Sequence, residues 1–178
     1  MLNTTKPDVV IVTTVDAYHA EYIIRSLNFG CDVITEKPMT TNDDLCRQIL
    51  AAEKASGHKV IVTFNYRYAP HNSLVRELIM KDTIGKVQQG HFEGTLNTSH
   101  GADYFRRWHR DKRNSGGLLV HKSTHHFDLV NFWLDTYPDT VYAMGGLKFY
   151  GRENAEERGV TEFYYRGTGN EIAAKDPF

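Results

Sequence analysis

Cysteine is scarce in this sequence, with only Cys31 and Cys46 among 178 residues. Two thiols cannot form the disulfide framework that stabilises small secreted domains, so we interpret both as reduced. The first residues, MLNTTKPD, also lack the basic start and the apolar core of a signal peptide. These absences favour a location inside the cell, which we expect to be the cytoplasm.

Long apolar runs and a strong net charge are also missing. No run approaches the ~20 apolar residues that a membrane span requires, and the formal net charge is only −1. We therefore expect no membrane and no nucleic acid among the partners. What the sequence does have is 40% hydrophobic and 12% aromatic residues, enough for a packed core in one ordinary domain or two small ones.

Three short β-branched runs alternate with two helical patterns in the first third of the chain, which predicts a parallel sheet with crossover helices. The strands are expected over residues 8–14, 31–38 and 59–68, the first of them buried on both faces. The helices are expected to end at Gly30 and Gly57. We expect Asp16 to cap the first helix and Thr41 with Asp44 to form a capping box on the second.

The pattern changes after residue 66 to that of an α+β domain, so we predict two domains, residues 1–66 and 67–178. A helix is expected over residues 70–85 and another over 118–135. Alternating residues predict strands over 86–96 and 140–151, and a basic, aromatic loop is expected over 101–117. The polar ending, residues 166–178, has little to bury and is expected to be loose.

Polar residues follow each of the three predicted strands, where ligands bind in a parallel α/β sheet. They form three groups: Thr14 and Asp16 with His19, then Glu36-Lys37-Pro38, then Asn65-Tyr66-Arg67. Pro38 favours an extended Lys37, which would project its side chain from the strand end. The alternative for Lys37 is an ordinary solvated lysine.

The segment HKSTHHFD supplies a second candidate site. His121 and His125 are four residues apart and would share one helix face with Asp128. Such a set can bind zinc, although Lys122 stands where the zincin motif needs glutamate. The alternatives are a polar helix face with satisfied hydrogen bonds, or an acid–base role for His125.

Three segments resemble the Gfo/Idh/MocA oxidoreductases: VTTVDAYHAEYIIRSLNFGCDVITEKPMT, FNYRYAP and SGGLLVHKSTHHFDL. The resemblance implies a Rossmann domain that binds NAD or NADP, here partial, followed by a partial α/β domain for the substrate and for homo-oligomer contacts. It implies hydride transfer between the nicotinamide and a hydroxyl of a sugar, inositol or related polyol.

The resemblance also implies roles for individual residues. Lys37 would orient the reacting hydroxyl, and His125 would be the general base that takes its proton. His121, which stands where many members have aspartate, would contact substrate or His125. The residues implied at the cofactor are Thr14, Asp16, His19, Glu36, Lys37 and Arg67.

The basic segment has two interpretations. Arg107 and Trp108, with the neighbouring basic residues, would clamp an acidic or phosphorylated sugar. The alternative is a solvated loop.

No G-x-G-x-x-G occurs in the sequence, although this turn normally carries the cofactor pyrophosphate at a helix N-terminus. We therefore expect an internal piece of a longer enzyme, with an uncovered apolar sheet face and weak or no dinucleotide binding. The alternative functions are an NAD-dependent redox glycosidase of the same family and an inactive remnant that serves as a binding or oligomerising module. A metal enzyme using the two histidines is a third, and we expect no metal.

Overall fold

The computed structural model describes residues 1–160, 162 and 171–175. Its strands are β1 (Val9–Val12), β2 (Asp32–Thr35) and β3 (Val60–Val62). Its α-helices are α1 (Leu2–Thr5), α2 (His19–Phe29), α3 (Asp43–Ser56), α4 (Pro70–Met80), α5 (Thr98–Arg106), α6 (Lys112–Ser115), α7 (Leu118–His121), α8 (Thr124–Leu134), α9 (Arg152–Glu157) and α10 (Glu171–Ala174). Short 3₁₀ helices cover Asp16–Tyr18, Asn65–Tyr68 and Trp108–Arg110. The expected loose ending lies largely outside the described residues.

The three strands form a parallel sheet in the order β1-β2-β3, with Val10 paired to Val33 and Val33 paired to Val60. This confirms the predicted α/β class, although each strand is shorter than expected. The prediction that the first strand is buried on both faces is wrong, because Ile11 is 68% exposed. Ile61 of β3 is also exposed, so an apolar sheet face is uncovered, as expected.

Helices α2 and α3 pack against one another and cover the other face of the sheet. The buried side chains of this core are Val12, Ala20, Ile23, Leu27, Val33 and Ile49. Burial of each large aliphatic side chain contributes roughly 1.5–3 kcal/mol, which is how the strands are held in place. Both helices end as predicted at a glycine in the left-handed conformation, Gly30 and Gly57.

The two predicted helix caps are wrong. The α3 cap is Asn42, whose Oδ1 accepts the Leu45 N–H at 2.9 Å, so Thr41 is not the capping residue. Asp16 caps no helix with its side chain, because its carboxylate contacts the His121 ring instead. The cap prediction failed there because a long-range contact with the His121 ring outcompeted a local one.

In the second half, α8 packs against α4, and Trp133 Nε1 donates to the Asn72 carbonyl at 3.0 Å. The strands predicted over 86–96 and 140–151 are wrong, since the structure gives neither range a strand and leaves nearly all of both exposed. Alternation marks a strand only when a neighbouring strand completes its hydrogen bonds. The described residues supply no such neighbour for either segment.

Two further expectations are corrected. The segment expected to be a basic loop is largely helical, with α5, a 3₁₀ turn and α6 in succession. The expected helix over 118–135 is divided into α7 and α8, so His121 and His125 lie on different helices. In the described part of the chain, no helix is both long enough and apolar enough to cross a bilayer.

Candidate active site

The carboxyl ends of the strands bring the predicted polar groups to one edge of the sheet. Backbone pairing continues past the strand ends, since Glu36 N–H donates to the Val12 carbonyl and Thr63 N–H to the Thr35 carbonyl, both at 2.9 Å. The chain segments that follow β1, β2 and β3 therefore lie side by side. Thr14 and Glu36 are exposed at this edge, where a ligand can reach their side chains.

His19 is completely buried and ties two of these segments together. Its Nδ1 lies 2.9 Å from the Pro38 carbonyl oxygen, and its Nε2 lies 2.9 Å from the Thr14 carbonyl oxygen. A neutral imidazole donates through only one of its nitrogens at a time. The ring thus positions the backbone after β1 against the backbone after β2, and its cofactor role stays a prediction.

Asp16 and His121 form a buried pair between residues 105 positions apart. Asp16 Oδ2 lies 2.5 Å from His121 Nδ1, and both side chains are almost fully buried. We expected His121 to contact substrate or His125; the structure shows its Nδ1 on Asp16, and its contact with substrate stays a prediction. Sequence spacing gave no sign of this partner.

Lys37 reaches the same segment from the end of β2. Its Nζ donates a hydrogen bond to the His121 backbone carbonyl at 2.9 Å. Burial lowers the pKa of Lys37, while the nearby carboxylates of Asp16 and Glu36 oppose that shift. A half-buried ammonium with a fixed acceptor differs from the solvated lysine considered as the alternative.

His125 is buried and lies flat against Tyr66, with ring centroids 4.0 Å apart and an interplanar angle of 5°. Its Nδ1 is sealed from solvent and has no hydrogen-bond partner among the described residues. Burial, helped by the positive charges of Lys37 and Lys122, lowers the pKa of His125 to about 4. The ring is therefore neutral at physiological pH.

Lys37, Tyr66, His121 and His125 form one cluster of side chains at the sheet edge. Lys122, which we noted only as an obstacle to zinc binding, belongs to this cluster. Its Nζ donates to the Tyr66 hydroxyl at 2.9 Å and lies 5.3 Å from the centre of the Tyr66 ring. Tyr66 thus contacts His125 with its face and Lys122 with its hydroxyl. With Lys37, the site therefore has two ammonium groups near His125.

An aromatic wall, formed by Tyr104, Trp108 and His109, covers the other side of His121. Their ring centroids lie 5.5, 5.6 and 4.5 Å from that of His121. Burial lowers the pKa of His109 to about 4, helped by the neighbouring His121. Our sequence interpretation stressed the arginines of this segment, whereas its aromatic residues, visible in the motif YFRRWHR, are the ones that meet the site.

The arginines of the candidate site have other neighbours. Arg67 donates from Nε to Asp128 Oδ2 at 2.8 Å and from a second nitrogen to Oδ1, so it links the sheet edge to α8. Arg107 is exposed and lies 3.9 Å from Asp103. The cofactor role of Arg67 and the substrate role of Arg107 stay predictions.

A zinc site at His121, His125 and Asp128 is not assembled. Asp128 is paired with Arg67, and His121 with Asp16. Within the described residues, no group of three or more His, Cys, Asp or Glu side chains is placed to hold a metal ion.

A separate open depression of ≈ 420 Å³ lies beyond the end of α4. Its lining is formed by Ile79, Asp82, Gly85, Lys86, Val87, Gln88, Gln89, Gly90, Leu134 and Thr136. None of the predicted site residues belongs to this lining, so the depression is distinct from the Lys37–His121 cluster.

Known proteins resemble this chain in both sequence and fold. YteT of Bacillus subtilis (strain 168), which is named as an oxidoreductase, is 48% identical over 154 residues, 86% of this chain and 36% of its own length. Inositol 2-dehydrogenase of Rhizobium meliloti (strain 1021) is 29% identical over 140 residues, 79% of this chain and 40% of its own. The crystal structure of an oxidoreductase domain protein from Kribbella flavida superposes with a TM-score of 0.60 at 28% identity, covering 75% of this chain and 37% of that one.

The chain thus spans about two fifths of the length of these relatives. Two family models match it in succession. The model of the oxidoreductase family's NAD-binding Rossmann fold matches residues 1–64, and that of its C-terminal alpha/beta domain matches residues 76–168. With the Glu36-Lys37-Pro38 edge and the His121–His125 segment joined in one cluster, these matches show that the chain belongs to the Gfo/Idh/MocA oxidoreductase family.

Proposed function

We propose that this chain carries the reacting half of a nicotinamide-dependent oxidoreductase that acts on a hydroxyl of a sugar, inositol or related polyol. The observation that carries the proposal is the ammonium of Lys37, held on the His121 carbonyl at 2.9 Å beside two buried imidazoles. The inositol 2-dehydrogenase relative supports the substrate class. Cytoplasmic location and assembly into a homo-oligomer belong to the same proposal.

The reaction is the oxidation of a secondary alcohol to a ketone. The C–H bonding pair leaves the carbinol carbon as hydride, the O–H bonding pair becomes the second bond of C=O, and the proton passes to a base. The nicotinamide, when bound, accepts the hydride. A positive charge beside the oxygen and a base for its proton are the two groups that the protein must supply.

The cluster supplies both groups. The Lys37 ammonium stabilises the negative charge that develops on the substrate oxygen, and its lowered pKa makes it a stronger hydrogen-bond donor to that oxygen. One of the two buried imidazoles, that of His121 at the end of α7 or that of His125 at the start of α8, takes the proton. Tyr66 and the aromatic wall exclude water, which strengthens each of these charge interactions.

The residues present fit the nicotinamide end of a dinucleotide better than its phosphates. Thr14 and Glu36 are exposed at the carboxyl edge of a parallel sheet, the place where such cofactors bind. His125 Nδ1 is buried without a partner among the described residues, but it is sealed from solvent, so the exposed Thr14 and Glu36 side chains carry the fit. The sequence has no G-x-G-x-x-G turn for the pyrophosphate, so we expect weak binding of NADH or NADPH by this chain alone.

Titration of the purified chain with NADH and NADPH, followed by fluorescence, tests the cofactor half of the proposal. A polyol screen with the oxidised cofactors then tests the reaction, with Lys37→Met as the test variant and Lys54→Met, an exposed lysine of α3, as the matched control. We expect turnover to be lost only in the first. An aryl glycoside separates the redox glycosidase, because a simple dehydrogenase releases no aryl alcohol. Equal turnover of both lysine variants would contradict the role of Lys37.

A further inference from the structure

The contact between Asp16 and His121 fixes which nitrogen of His121 carries a proton. A carboxylate only accepts hydrogen bonds, so the Nδ1 that lies 2.5 Å from Asp16 Oδ2 must be the donor. Both groups are buried, at 3% and 8% exposure, where a misplaced proton would leave a buried charge without its hydrogen bond. In the neutral ring Nε2 is therefore the unprotonated nitrogen.

The Nε2 atom of His121 is not fully sealed from solvent, although the residue is only 8% exposed. It has no hydrogen-bond partner among the described residues, and it is not one of the ring nitrogens there that are sealed from solvent without a partner. A lone pair that is both fixed in place and reachable is what a general base requires.

His125 has the opposite arrangement. A proton on its sealed Nδ1 would be a buried N–H donor without an acceptor, which favours the tautomer with the proton on Nε2. That tautomer donates a hydrogen bond and cannot take a proton through Nε2. The pKa of about 4 agrees, because so weak a base is a poor proton acceptor at neutral pH.

We propose that His121, held by Asp16 in its Nδ1–H tautomer, is the group that accepts the proton of the substrate hydroxyl, and that His125 instead donates a hydrogen bond to the substrate. This inference rests on the proposed function and departs from our sequence-based assignment of His125 as the base. Asp16 is then a positioning residue, which acts on the reaction through His121.

The surroundings of His121 suit this role. Tyr104, Trp108 and His109 surround its ring. The rings of Tyr104 and Trp108 carry no charge that would keep His121 doubly protonated before the reaction. His109 is neutral, because burial lowers its pKa to about 4. The Lys37 ammonium is bound to the backbone oxygen of His121, so it lies beside the residue that carries the base. The proposal requires the substrate oxygen to contact both this ammonium and His121 Nε2.

The proton moves in a single step. As the C–H pair leaves toward the nicotinamide, the O–H pair becomes the second C=O bond, and the proton arrives on His121 Nε2. The ring is then an imidazolium with both nitrogens protonated, and the Asp16 carboxylate stabilises its charge. The reverse reaction returns the same proton to the ketone oxygen.

A long-range ¹H–¹⁵N correlation spectrum of the ¹⁵N-labelled chain at pH 8 tests the pair directly, because it distinguishes the two neutral tautomers of each histidine. His121→Gln assigns the His121 signals. We expect the Nδ1–H tautomer for His121 in the wild type. Asp16→Asn is expected to convert it to the Nε2–H tautomer, because the amide NH₂ can donate to Nδ1, while His125→Gln leaves it unchanged. The wild-type spectrum decides on its own if Asp16→Asn fails to fold.

An Nε2–H tautomer of His121 in the folded wild type would overturn the inference, as would an unchanged tautomer in folded Asp16→Asn. If the wild type oxidises a polyol, we expect kcat to fall on the order of 10³–10⁴-fold in Asp16→Asn. In His125→Gln we expect a fall on the order of 10²-fold or less. A larger fall in His125→Gln than in Asp16→Asn would also overturn the inference. If the tautomers are as expected but the wild type oxidises no polyol, the Asp16–His121 assignment is supported. That result would count against the proposed function instead.

Discussion

The buried, neutral His125 predicts a specific loss of stability in mild acid. Its pKa is about 4 in the folded chain and 6.5 when unperturbed, so the unfolded chain binds the proton more readily. A histidine with a lowered folded pKa stabilises the protein above its unfolded pKa, and this stabilisation is lost as the pH falls from about 6.5 toward about 4.

The size of the effect follows from the same two pKa values. Between pH 7.5 and pH 5, this one residue is expected to cost about 2 kcal/mol of the free energy of unfolding. A chain of this size has a urea m-value of about 2 kcal/mol/M, so the loss corresponds to a midpoint about 1 M lower. His125 is only 4% exposed, so solvent does little to reduce this cost.

His125→Phe removes the titrating group and keeps a ring that can stack on Tyr66. Urea denaturation of the wild type and the variant at both pH values gives a double difference from which all shared titrations cancel. We expect the variant to lose about 2 kcal/mol less than the wild type on acidification. His71→Phe, at an exposed histidine of α4, is the control and should follow the wild type. A double difference below about 0.5 kcal/mol, with unchanged m-values, would refute the argument.

Two further predictions concern stability. Arg67→Ala leaves the buried Asp128 without its partner, so we expect the free energy of unfolding to fall by about 3–5 kcal/mol in urea denaturation. Arg47→Ala, in an exposed helical pair, should change it by less than about 0.5 kcal/mol. Equal losses would show that burial does not control the cost of removing an ion pair. Gly116→Ala places a Cβ 2.7 Å from a backbone oxygen at φ +69°, and Gly57→Ala has the same left-handed backbone with nothing within 4 Å. Gly57→Ala should therefore cost about 1 kcal/mol and Gly116→Ala about 1–3 kcal/mol more, and thermal unfolding that ranks them in the reverse order would contradict the clash.

The sheet and its helices could be predicted because local physics determines them. The β-branched runs become strands wherever helices bury them, and Gly30 and Gly57 end helices because their left-handed backbone disfavours other residues. The strands predicted over 86–96 and 140–151 failed because pairing depends on a neighbour that a local pattern cannot show.

The site was predicted in its parts and not in its connections. Lys37, His121 and His125 were identified from motifs, and the structure gathers them in one cluster. The Asp16–His121 contact joins residues 105 positions apart, and no periodicity or spacing reports on such a pair. Tyr104 and His109 were missed because the basic residues around them gave the stronger signal.

The way in which Lys37 is held makes position 121 exchangeable. Its ammonium is bound by the backbone carbonyl of residue 121, an atom that every amino acid has, while Asp16 is bound by the side chain. Replacing the imidazole with an amide therefore leaves in place the carbonyl that holds the lysine, whereas a carboxylate would put a second negative charge against the buried Asp16. Under the proposed mechanism, the side chain at this one position sets the proton chemistry, and the lysine is held independently of it.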